Sequence, residues 1–403
     1  MDWDEGPEKG GNLGPYFQSQ RREIYQDIAQ KLLTSGQAFY CFLTDEEIEA
    51  LHSHENRQLK SPYRDMPLQE ALIKVENGET YVIRFKNTYE AESFQFTDLV
   101  HGDTTLAGNM VGDFVLIRSN QQPVYNFCCA VDDHLMEISH VLRGEEHLSN
   151  TLRQLMVYRA LDWQPPLFGH LSMILGENRK KLSKRDDAVA MQDFISGGYL
   201  PEAILNYVAL LGWSHEDSEE KFYLPEMIKA FSIERVNKSP AMFDRDKLNW
   251  LNHYHLNQKS SADILPYLEA IDAKAVLKDA EWFERFWSLI GHQFHTLVEV
   301  QDTLGLFESL TIRDKELLLG EGKTVVAAFK DLLVSTDTMN AEAFNTLVSE
   351  VGANLGVKGK RLFAPIRVAL IGLQSGMELK VLAELMSKDE MLERINQSLA
   401  AVE

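Results

Sequence analysis

Residues 179–185 are Arg179-Lys180-Lys181-Leu182-Ser183-Lys184-Arg185, a run with five basic side chains in a chain whose formal net charge is −21. A positively charged loop in an acidic protein favours an anionic ligand, although a basic run is also typical of a solvated surface turn. Leu182 and Ser183 separate the lysines, so that two ammonium groups can contact different atoms of one polyphosphate. The run therefore predicts a phosphate-binding loop, provided that the flanking segments supply a suitable fold.

The segments before this loop predict a strand, a helix and a second strand. Residues 126–131 form a short apolar run that is typical of a buried parallel strand. A helix is expected to begin at Ser149–Thr151, and a second strand is expected at about 171–175. A strand–helix–strand unit followed by a phosphate-binding loop is half of a doubly wound fold, in which ligands bind at the carboxyl ends of the strands.

Regions before and between these segments predict further elements. Ser19 and Gly36 are suited to begin and end a helix, and Thr44 with the acidic residues after it is suited to begin another. A hydrophobic period of two predicts strands at 81–85 and 114–118. This part of the chain is therefore expected to mix helices and strands.

The chain after the basic loop is predicted to be helical. Pro201 is suited to the first position of a helix and Gly212 to its end. From about Ser260 to Glu403 the apolar residues recur at helical spacing, and no segment predicts a strand. The carboxyl-terminal third is therefore expected to be all-α.

Composition limits the function classes. The chain has 61 acidic and 40 basic residues, which argues against a general nucleic-acid coating protein but allows basic side chains confined to a few patches. Candidate patches are 179–185, Arg235 with Lys238, and Lys358, Lys360 and Arg361 with Arg367. Three cysteines cannot form a disulfide framework, so reduced thiols and a cytoplasmic location are expected. No apolar stretch approaches the ~20 residues of a membrane span, and no secretory signal is predicted.

Several other motifs stand around the basic loop in a fixed order. They are Gly14–Arg21, Pro123–Phe127, Val131–Met136, Val141–Thr151, Gly198–Tyr207 and Leu210–Trp213. In this order and spacing the chain resembles bacterial glutamyl-tRNA synthetase, a class I aminoacyl-tRNA synthetase. Residues 181–185 match the second signature of that family, and the resemblance extends from Asp2 to the carboxyl-terminal helices.

The resemblance implies a multidomain α/β plus all-α architecture. Residues 1–180 are expected to form a truncated, Rossmann-like class I catalytic domain with an α/β insertion at about 22–122. A stem-contact region that carries the basic loop is expected at 181–258, and an α-helical anticodon-binding domain at 259–403.

One family feature has no counterpart in this sequence. Class I synthetases open with a strand and a loop of the His-Ile-Gly-His type, and no such motif precedes Met1–Pro7, a segment that lies well after it in the family. Neither Gly169-His170 nor His52-Ser53-His54 stands where it could substitute. The chain is therefore expected to lack the first strands of the fold, unless the true start lies upstream. Loss of this motif is expected to lower the rate of glutamate activation, because its groups stabilise the transferring phosphate.

The function implied is that of a glutamate–tRNA ligase. The family activates glutamate with ATP, as its Mg²⁺ complex, and transfers the glutamyl group to the 3′ end of tRNA-Glu; a monomer is expected. Glutaminyl-tRNA synthetase fits less well, because its anticodon part is a β-barrel whereas this carboxyl-terminal region is predicted to be helical. A shortened relative that glutamylates a modified tRNA base also fits less well, because it lacks the helical part. A non-enzymatic tRNA-binding or regulatory relative is the alternative, and charging of tRNA-Gln stays open.

The resemblance also assigns ATP-site residues. Lys184 and Lys181 are expected to contact the ATP phosphates and to stabilise the charge that develops as pyrophosphate leaves. Glu146 and His147 match positions that line the ATP site. The substrate carboxylate is the nucleophile in this reaction, so no nucleophilic side chain is expected.

Glutamate-binding residues are assigned in the same way. Arg143 and Tyr125 match residues that hold the glutamate substrate, and Cys129 lies where the substrate pocket is expected. A half-buried arginine needs an anionic partner, and an internal salt bridge with Glu145 is the alternative reading of Arg143. Asp132-Asp133 is interpreted as a pair of capping groups at a strand end.

Two further assignments concern tRNA and metal. Lys358, Lys360 and Arg361 are expected to contact tRNA. Cys41, His52 and His54 lack the paired spacing of a zinc site, so no structural zinc is expected.

Overall fold

The structure is a computed structural model that describes residues 3–51, 60–176, 178–180, 182, 190–271, 278–336 and 339–402. The chain divides into two units by its backbone contacts. The first unit comprises 1–175, 212–216 and 231–241, and the second comprises 176–211, 217–230 and 242–403.

The first unit mixes helices with short strands. Its helices are α1 (Arg22–Thr34), α2 (Asp45–Leu51), α3 (Leu68–Glu76), α4 (Tyr125–Leu135) and α5 (Leu148–Ala160). Its strands are β1 (Ala38–Cys41), β2 (Val82–Phe85), β3 (Ser93–Asp98), β4 (Gly102–Ala107), β5 (Val115–Ile117), β6 (His140–Gly144), β7 (Leu167–Leu171) and β8 (Ile174–Leu175). The predicted strands at 81–85 and 114–118 and the predicted helix after Thr44 are confirmed.

Strands β1 to β7 form three groups in the described part of this unit. Strands β1, β2 and β5 make an antiparallel sheet in which Ala38 pairs with Phe85 and Ile83 with Ile117. Strands β3 and β4 make an antiparallel hairpin. Strands β6 and β7 pair in parallel, from His140 opposite Leu167, and α5 is the crossover between them. The predicted strand–helix–strand unit is therefore present, with α5 as its helix.

The positions of its strands differ from the prediction. Residues 126–131 lie in helix α4, so the strand predicted there is wrong. An apolar run of this length fits a helix buried on a broad face as well as a strand, because periodicity cannot separate the two. The first parallel strand is β6 instead. It contains His140 and Arg143, so its sequence lacks the continuous apolar run that is typical of a buried parallel strand. The second parallel strand, β7, ends where the predicted one was to begin.

A buried ion pair joins α4 to the start of α1. Arg21 Nε donates to Asp132 Oδ1 at 2.7 Å, and both side chains are almost fully buried. Tyr25 donates its hydroxyl proton to the same carboxylate at 2.8 Å, and Gln18 Nε2 donates at 3.0 Å. Helix α1 begins three residues beyond Ser19, so the cap predicted there is wrong. Asp132 is a buried partner for Arg21 on a helix, where the sequence suggested a group at a strand end.

The described residues of the second unit contain helices and, as the one strand residue, Met242 of the short strand β9 (Ala241–Met242). Its helices are α6 (Met191–Ser196), α7 (Pro201–Gly212), α8 (Leu224–Ala230), α9 (Arg245–Asn257), α10 (Ser261–Ile271), α11 (Ala280–Ile290), α12 (Leu297–Glu308), α13 (Glu321–Val334), α14 (Ala341–Leu355), α15 (Lys360–Ile371), α16 (Leu379–Leu385) and α17 (Lys388–Ala400). The predicted all-α carboxyl-terminal region and the helix from Pro201 to Gly212 are confirmed.

Helix α15 lies at the centre of this helical region. Its residues from Ala364 to Ile371 are buried except for Arg367, and it packs against α13, α14 and α17. The guanidinium of Arg394 on α17 donates to the carbonyls of Leu306, Phe307 and Leu370 at 2.7–2.9 Å. It thereby satisfies carbonyl groups at the carboxyl ends of α12 and α15.

Asp132→Ala is expected to destabilise the first unit strongly, because it leaves the guanidinium of Arg21 buried without its partner. The expected loss in free energy of unfolding is about 3–5 kcal/mol, measured by calorimetry. Glu92→Ala is the matched control, since it breaks an arginine–carboxylate pair of the same unit, at 2.7 Å from Arg159, in which both side chains are half exposed. The control is expected to cost about 1 kcal/mol or less. Equal losses in the two variants would contradict this account of the buried pair.

Candidate active site

One face of helix α4 carries polar groups toward the parallel strand pair. Tyr125, Cys129 and Asp133 stand four residues apart, so they lie on the same side of the helix. Tyr125 is 50% exposed, whereas Cys129 and Asp133 are mostly buried. The face therefore runs from an open end at Tyr125 to a closed end at Asp133.

Helix α5 contributes a second row of polar groups. Thr151, Gln154 and Tyr158 are each 0–1% exposed and recur at helical spacing, in the middle of an otherwise apolar face. Helices α4 and α5 pack against each other. The hydroxyl of Tyr158 and Nε2 of Gln154 are buried without a hydrogen-bond partner among the described residues. Burial of unpartnered donors is costly, and such donors often mark a ligand site.

Strand β6 places Arg143 between these helices and strand β7. The Nη2 atom of Arg143 donates to Thr151 Oγ1 at 2.6 Å and to Gln154 Oε1 at 2.9 Å. Its Nε donates to Nε2 of His170, on β7, at 3.3 Å. The guanidinium carbon lies 5.3 Å from the centre of the Phe168 ring. Every one of these contacts is made with a neutral group.

The predicted alternative partner of Arg143 makes other contacts. Glu145 Oε2 lies 3.8 Å from His101 Nε2, and Glu145 Oε1 accepts a hydrogen bond from the backbone N–H of Met173 at 3.3 Å. No carboxylate within the described ranges forms an ion pair with Arg143. None of these three hydrogen bonds uses Nη1, and among the described residues the Tyr125 hydroxyl also lies close enough to Arg143 for its charge to oppose the rise in the pKa of Tyr125.

Two residues assigned to the ATP site lie in the turn after β6. Glu146 is exposed and His147 is partly exposed, in the helical turn Glu145–His147. His147 Nδ1 lies 3.1 Å from Asn150 Nδ2 and 3.4 Å from the hydroxyl of Tyr125. The turn stands at the carboxyl end of a parallel strand, which is where ligands bind in folds of this kind.

Burial changes the ionisation of the groups on α4. It raises the pKa of Cys129 to about 11 and that of Cys128 to about 12. Both thiols are therefore neutral near pH 7, which makes them poor nucleophiles. Burial also raises the pKa of Asp133 to about 6, against the opposing effect of the nearby Arg143 charge.

The sequence did not single out the residues that surround Arg143. Thr151, Gln154 and His170 hold its guanidinium, and Asp98 holds His170. A signal was present, because Thr151 and Gln154 are polar residues at helix positions whose neighbours Leu152 and Leu155 predict burial. No local pattern identified Asp98, because it contacts His170 from 72 positions earlier in the chain.

The basic loop is only partly described. Lys181 and Lys184 lie outside the described residues, so the structure does not bear on their assignment to ATP. Leu182 packs against the apolar cluster that contains Tyr199 and Phe243. Arg179 and Lys180 are exposed.

Residues assigned to tRNA lie in the second unit. Lys358 and Lys360 are exposed at the start of α15. Arg361 is exposed as well and forms an ion pair with Glu321 on α13. A cavity of about 480 Å³ adjoins this helix. Its lining residues are Lys360, Phe363, Ala364, Arg367, Gln374 and Ser375.

The residues considered for zinc are only partly described. Cys41 is buried, with its Sγ 3.4 Å from Ser61 Oγ, while His52 and His54 lie outside the described residues. In the part of the chain that the structure describes, no group of three or more His, Cys, Asp or Glu residues could hold a metal ion. None of the described helices has both the length and the apolar character needed to cross a membrane.

Comparison with known families gives two matches that together span nearly the whole chain. Residues 1–250 match the family model of the catalytic domain of class I tRNA synthetases of the E and Q type. Residues 261–399 match the family model of an anticodon-binding domain.

Two relatives and one solved structure that are similar to this chain are glutamate–tRNA ligases. The glutamate–tRNA ligase of Bdellovibrio bacteriovorus is 42% identical over 423 aligned positions, which cover 100% of this chain and 86% of the relative. That of Listeria monocytogenes is 38% identical and covers 98% of this chain and 85% of the relative. A crystal structure of a glutamate tRNA ligase from Elizabethkingia meningosepticum, in complex with its amino acid, superposes with a TM-score of 0.82 at 29% identity, over 99% of this chain and 86% of that one.

Asp133→Asn is expected to stabilise the protein at neutral pH and to change little in acid. The pKa of Asp133 is raised to about 6 in the folded state, so the folded state resists ionisation that the unfolded state undergoes at about pH 4. Ionisation of Asp133 therefore lowers the free energy of unfolding of the unaltered chain. This loss is absent below about pH 4 and complete above about pH 6, where it amounts to about 2–3 kcal/mol.

Melting temperatures of the variant and the unaltered chain, measured from pH 4 to pH 8, would check this. The difference in favour of the variant should grow as the pH rises. Asp27→Asn, at an exposed carboxylate on α1, is the control for the removal of one negative charge. A difference that shrinks with rising pH would show that the Asp133 carboxylate is stabilised by its surroundings.

Proposed function

Because this chain belongs to the glutamate–tRNA ligases, within the class I aminoacyl-tRNA synthetases, we propose that it activates glutamate with ATP and transfers the glutamyl group to the 3′ end of tRNA-Glu. The amino acid and ATP sites belong to the first unit, and anticodon binding belongs to helices of the second. Residues 181–258 are assigned to contact with the tRNA stem.

The observation that carries the glutamate assignment is the environment of Arg143. Its guanidinium is partly buried, and among the described residues it donates to neutral acceptors on Thr151, Gln154 and His170 and lies near the neutral hydroxyl of Tyr125. A desolvated guanidinium favours a carboxylate, which it can bind through two parallel hydrogen bonds. The N–H groups on Nη1 are suited to receive a carboxylate of the substrate.

Neighbouring groups support an acidic ligand at the same place. The hydroxyl of Tyr158 and Nε2 of Gln154 are buried donors without a partner in the described part of the chain. Tyr125, at the open end of α4, is assigned to the entrance of the site and Cys129 to its wall. A neutral thiol at Cys129 adds no negative charge that would repel glutamate.

The chemistry needs no nucleophilic side chain. A glutamate carboxylate oxygen attacks the α-phosphorus of ATP, the bond to the bridging oxygen breaks, and pyrophosphate leaves with its electron pair. Lys181 and Lys184 are assigned to stabilise the negative charge that develops on the phosphate oxygens. Glu146 and His147, in the turn after β6, are assigned to the ATP site, and Mg²⁺ accompanies ATP as part of the substrate.

Anticodon binding is assigned to the exposed end of helix α15. Lys358 and Lys360 supply charge for phosphate groups, and Phe363, which is 44% exposed in the same cavity, offers a ring on which a base can stack. Arg361 forms an ion pair with Glu321. It is assigned a contact with tRNA next to Lys358 and Lys360.

Arg143→Ala is expected to weaken glutamate binding by about 100-fold or more, because the ligand carboxylate loses a buried charged partner worth about 3–5 kcal/mol. Arg143→Lys should also weaken it, since an ammonium keeps the charge and loses the paired hydrogen bonds. Equilibrium dialysis with radiolabelled L-glutamate measures the affinity directly, and melting temperatures report whether each variant is folded.

Arg159→Ala is the control for these variants. Arg159 is on the same helix as Thr151 and Gln154, but it is half exposed and pairs with Glu92. Its loss should leave glutamate affinity unchanged. If Arg143→Ala lowered the melting temperature and left the affinity unchanged, Arg143 would be a structural residue and the glutamate assignment would be wrong.

Lys360→Ala and Phe363→Ala are each expected to weaken binding of tRNA-Glu by the full chain. Removal of the Lys360 charge should also lower the slope of log affinity against log salt concentration by about one unit or less, as expected for one lost phosphate contact. Loss of the Phe363 ring should weaken binding by about 1–3 kcal/mol with the slope unchanged.

Filter binding across a salt series would measure both quantities. Lys380→Ala is the matched control, because Lys380 is an exposed lysine of the same unit that pairs with Glu378. Loss of affinity in the control equal to that of Lys360→Ala would argue for a diffuse electrostatic effect, and would contradict a tRNA site at α15.

A further inference from the structure

A buried aspartate–histidine pair lies behind Arg143. Asp98 and His170 are each 0–1% exposed, and Asp98 Oδ2 lies 2.5 Å from His170 Nδ1. Asp98 is the last residue of β3, and His170 is in β7, 72 positions later in the chain. Neither residue belongs to the set that the sequence assigned to substrates.

The surroundings of Asp98 fix its charge. Its Oδ1 accepts hydrogen bonds from three backbone N–H groups, those of Val100 and His101 at 2.9 Å and of His170 at 3.2 Å. Burial alone would raise the pKa of Asp98, but the hydrogen bonds from His101 and His170 outweigh it, so the pKa lies below its usual value. Asp98 is therefore an anion that only accepts, and Nδ1 of His170 carries the proton between them.

The opposite nitrogen of His170 faces the proposed substrate site. Its Nε2 lies 3.3 Å from Nε of Arg143, which can only donate, and 2.9 Å from Oγ1 of Thr151. Burial lowers the pKa of His170, and the charges of Arg143 and His101 lower it further, against the effect of Asp98. The imidazole is therefore neutral, with its proton on Nδ1 and an acceptor lone pair on Nε2.

The charged and titratable groups facing His170 are few in the described part of the chain. They are Asp98 on β3, His101 in the turn before β4, and Arg143 on β6. The rings of Phe96 and Phe168 cover the imidazole, with centroids 6.5 Å and 6.2 Å away. The imidazole is thereby fully buried.

We propose that Asp98 and His170 are positioning residues of the amino acid site, which hold the Arg143 guanidinium in the orientation that receives a glutamate carboxylate. This rests on the proposed function of Arg143. Asp98 selects the tautomer, the tautomer presents an acceptor to Arg143 Nε, and Thr151 and Gln154 hold Nη2. These three contacts fix the direction of the N–H groups on Nη1 before the substrate binds.

The pair also ties a distant hairpin to this site. Asp98 ends the first strand of the β3–β4 hairpin, and the next residue, Leu99, donates its backbone N–H to the carbonyl of Phe168 at 2.8 Å. The hairpin turn is therefore fastened to β7 through the Asp98 side chain and through the backbone of Leu99. The hairpin thereby contributes to the amino acid site through the Asp98 carboxylate.

Asp98→Asn is the most discriminating change. The three backbone N–H groups require an oxygen at the Oδ1 position, so the new amide nitrogen must take the Oδ2 position and face His170 Nδ1. Nδ1 then has to accept, and the imidazole proton moves to Nε2, opposite the N–H of Arg143 Nε. The site keeps its shape and loses the acceptor that holds Arg143.

Equilibrium dialysis with L-glutamate, on the full chain, tests the consequence. Asp98→Asn should weaken glutamate binding about 10- to 100-fold, the range for loss of a hydrogen bond to a charged group. His170→Asn should do the same, because its amide can reach Asp98 but offers no acceptor to Arg143. His170→Gln places an amide oxygen near the former Nε2 and should keep affinity within about threefold, since it retains that acceptor.

His255→Asn is the control for loss of a buried imidazole. His255 is 1% exposed, lies in the second unit, and bonds through Nε2 to Asn206 Oδ1 at 3.1 Å. It should lower the melting temperature without changing glutamate affinity. A purely structural role for His170 would lower stability in both of its variants and leave glutamate affinity unchanged in both.

Nitrogen-15 spectra of histidine-labelled protein supply a readout independent of binding. The signal that His170→Gln removes should show the Nδ1–H tautomer from pH 6 to pH 8, and Asp98→Asn should convert it to the Nε2–H tautomer. An Nε2–H tautomer in the unaltered chain would overturn the proposal.

The binding outcomes separate this proposal from the one it rests on. Glutamate bound by the unaltered chain, and bound equally by Asp98→Asn, would overturn the positioning role and leave the proposed function standing. Absence of glutamate binding by the unaltered chain would overturn both.

Discussion

The partly buried guanidinium of Arg143 is the constraint on which the account of the first unit depends. A guanidinium cannot shed its charge, so each N–H group removed from water needs an acceptor. Helix α5 supplies two neutral acceptors and β7 supplies a third, at 2.6–3.3 Å. A site built in this way holds a positive charge with which no carboxylate of the described residues forms an ion pair, and it is suited to an acidic substrate.

The same constraint explains why polar residues lie in the core of this unit. Thr151, Gln154 and His170 are each fully buried, and each bonds to Arg143. Arg21, a buried arginine of the same unit, is treated differently, because Asp132 neutralises it at 2.7 Å. One arginine thus joins α1 to α4, while the other stays available to a ligand.

The sequence predicted the larger features of the fold because they follow from local patterns. Helical spacing after Ser260, the breaks at Pro201 and Gly212, and the alternation at 81–85 all carried over into the structure. Residues 126–131 failed as a strand, because a buried helix and a buried strand leave the same short apolar run. The motif order gave Arg143 its assignment, but its supporting residues depend on contacts between distant segments, such as Asp98 with His170, which no local pattern contains.

The central claim is that Arg143 receives a carboxylate of glutamate. Crystals of the chain soaked in L-glutamate test it most directly, because they show where the ligand lies and which of its groups is bound. The account predicts a carboxylate paired with the Nη1 edge of Arg143, with the contacts to Thr151, Gln154 and His170 retained. Glutamate bound elsewhere, or a carboxylate of the chain itself closing on Arg143 in its presence, would contradict it.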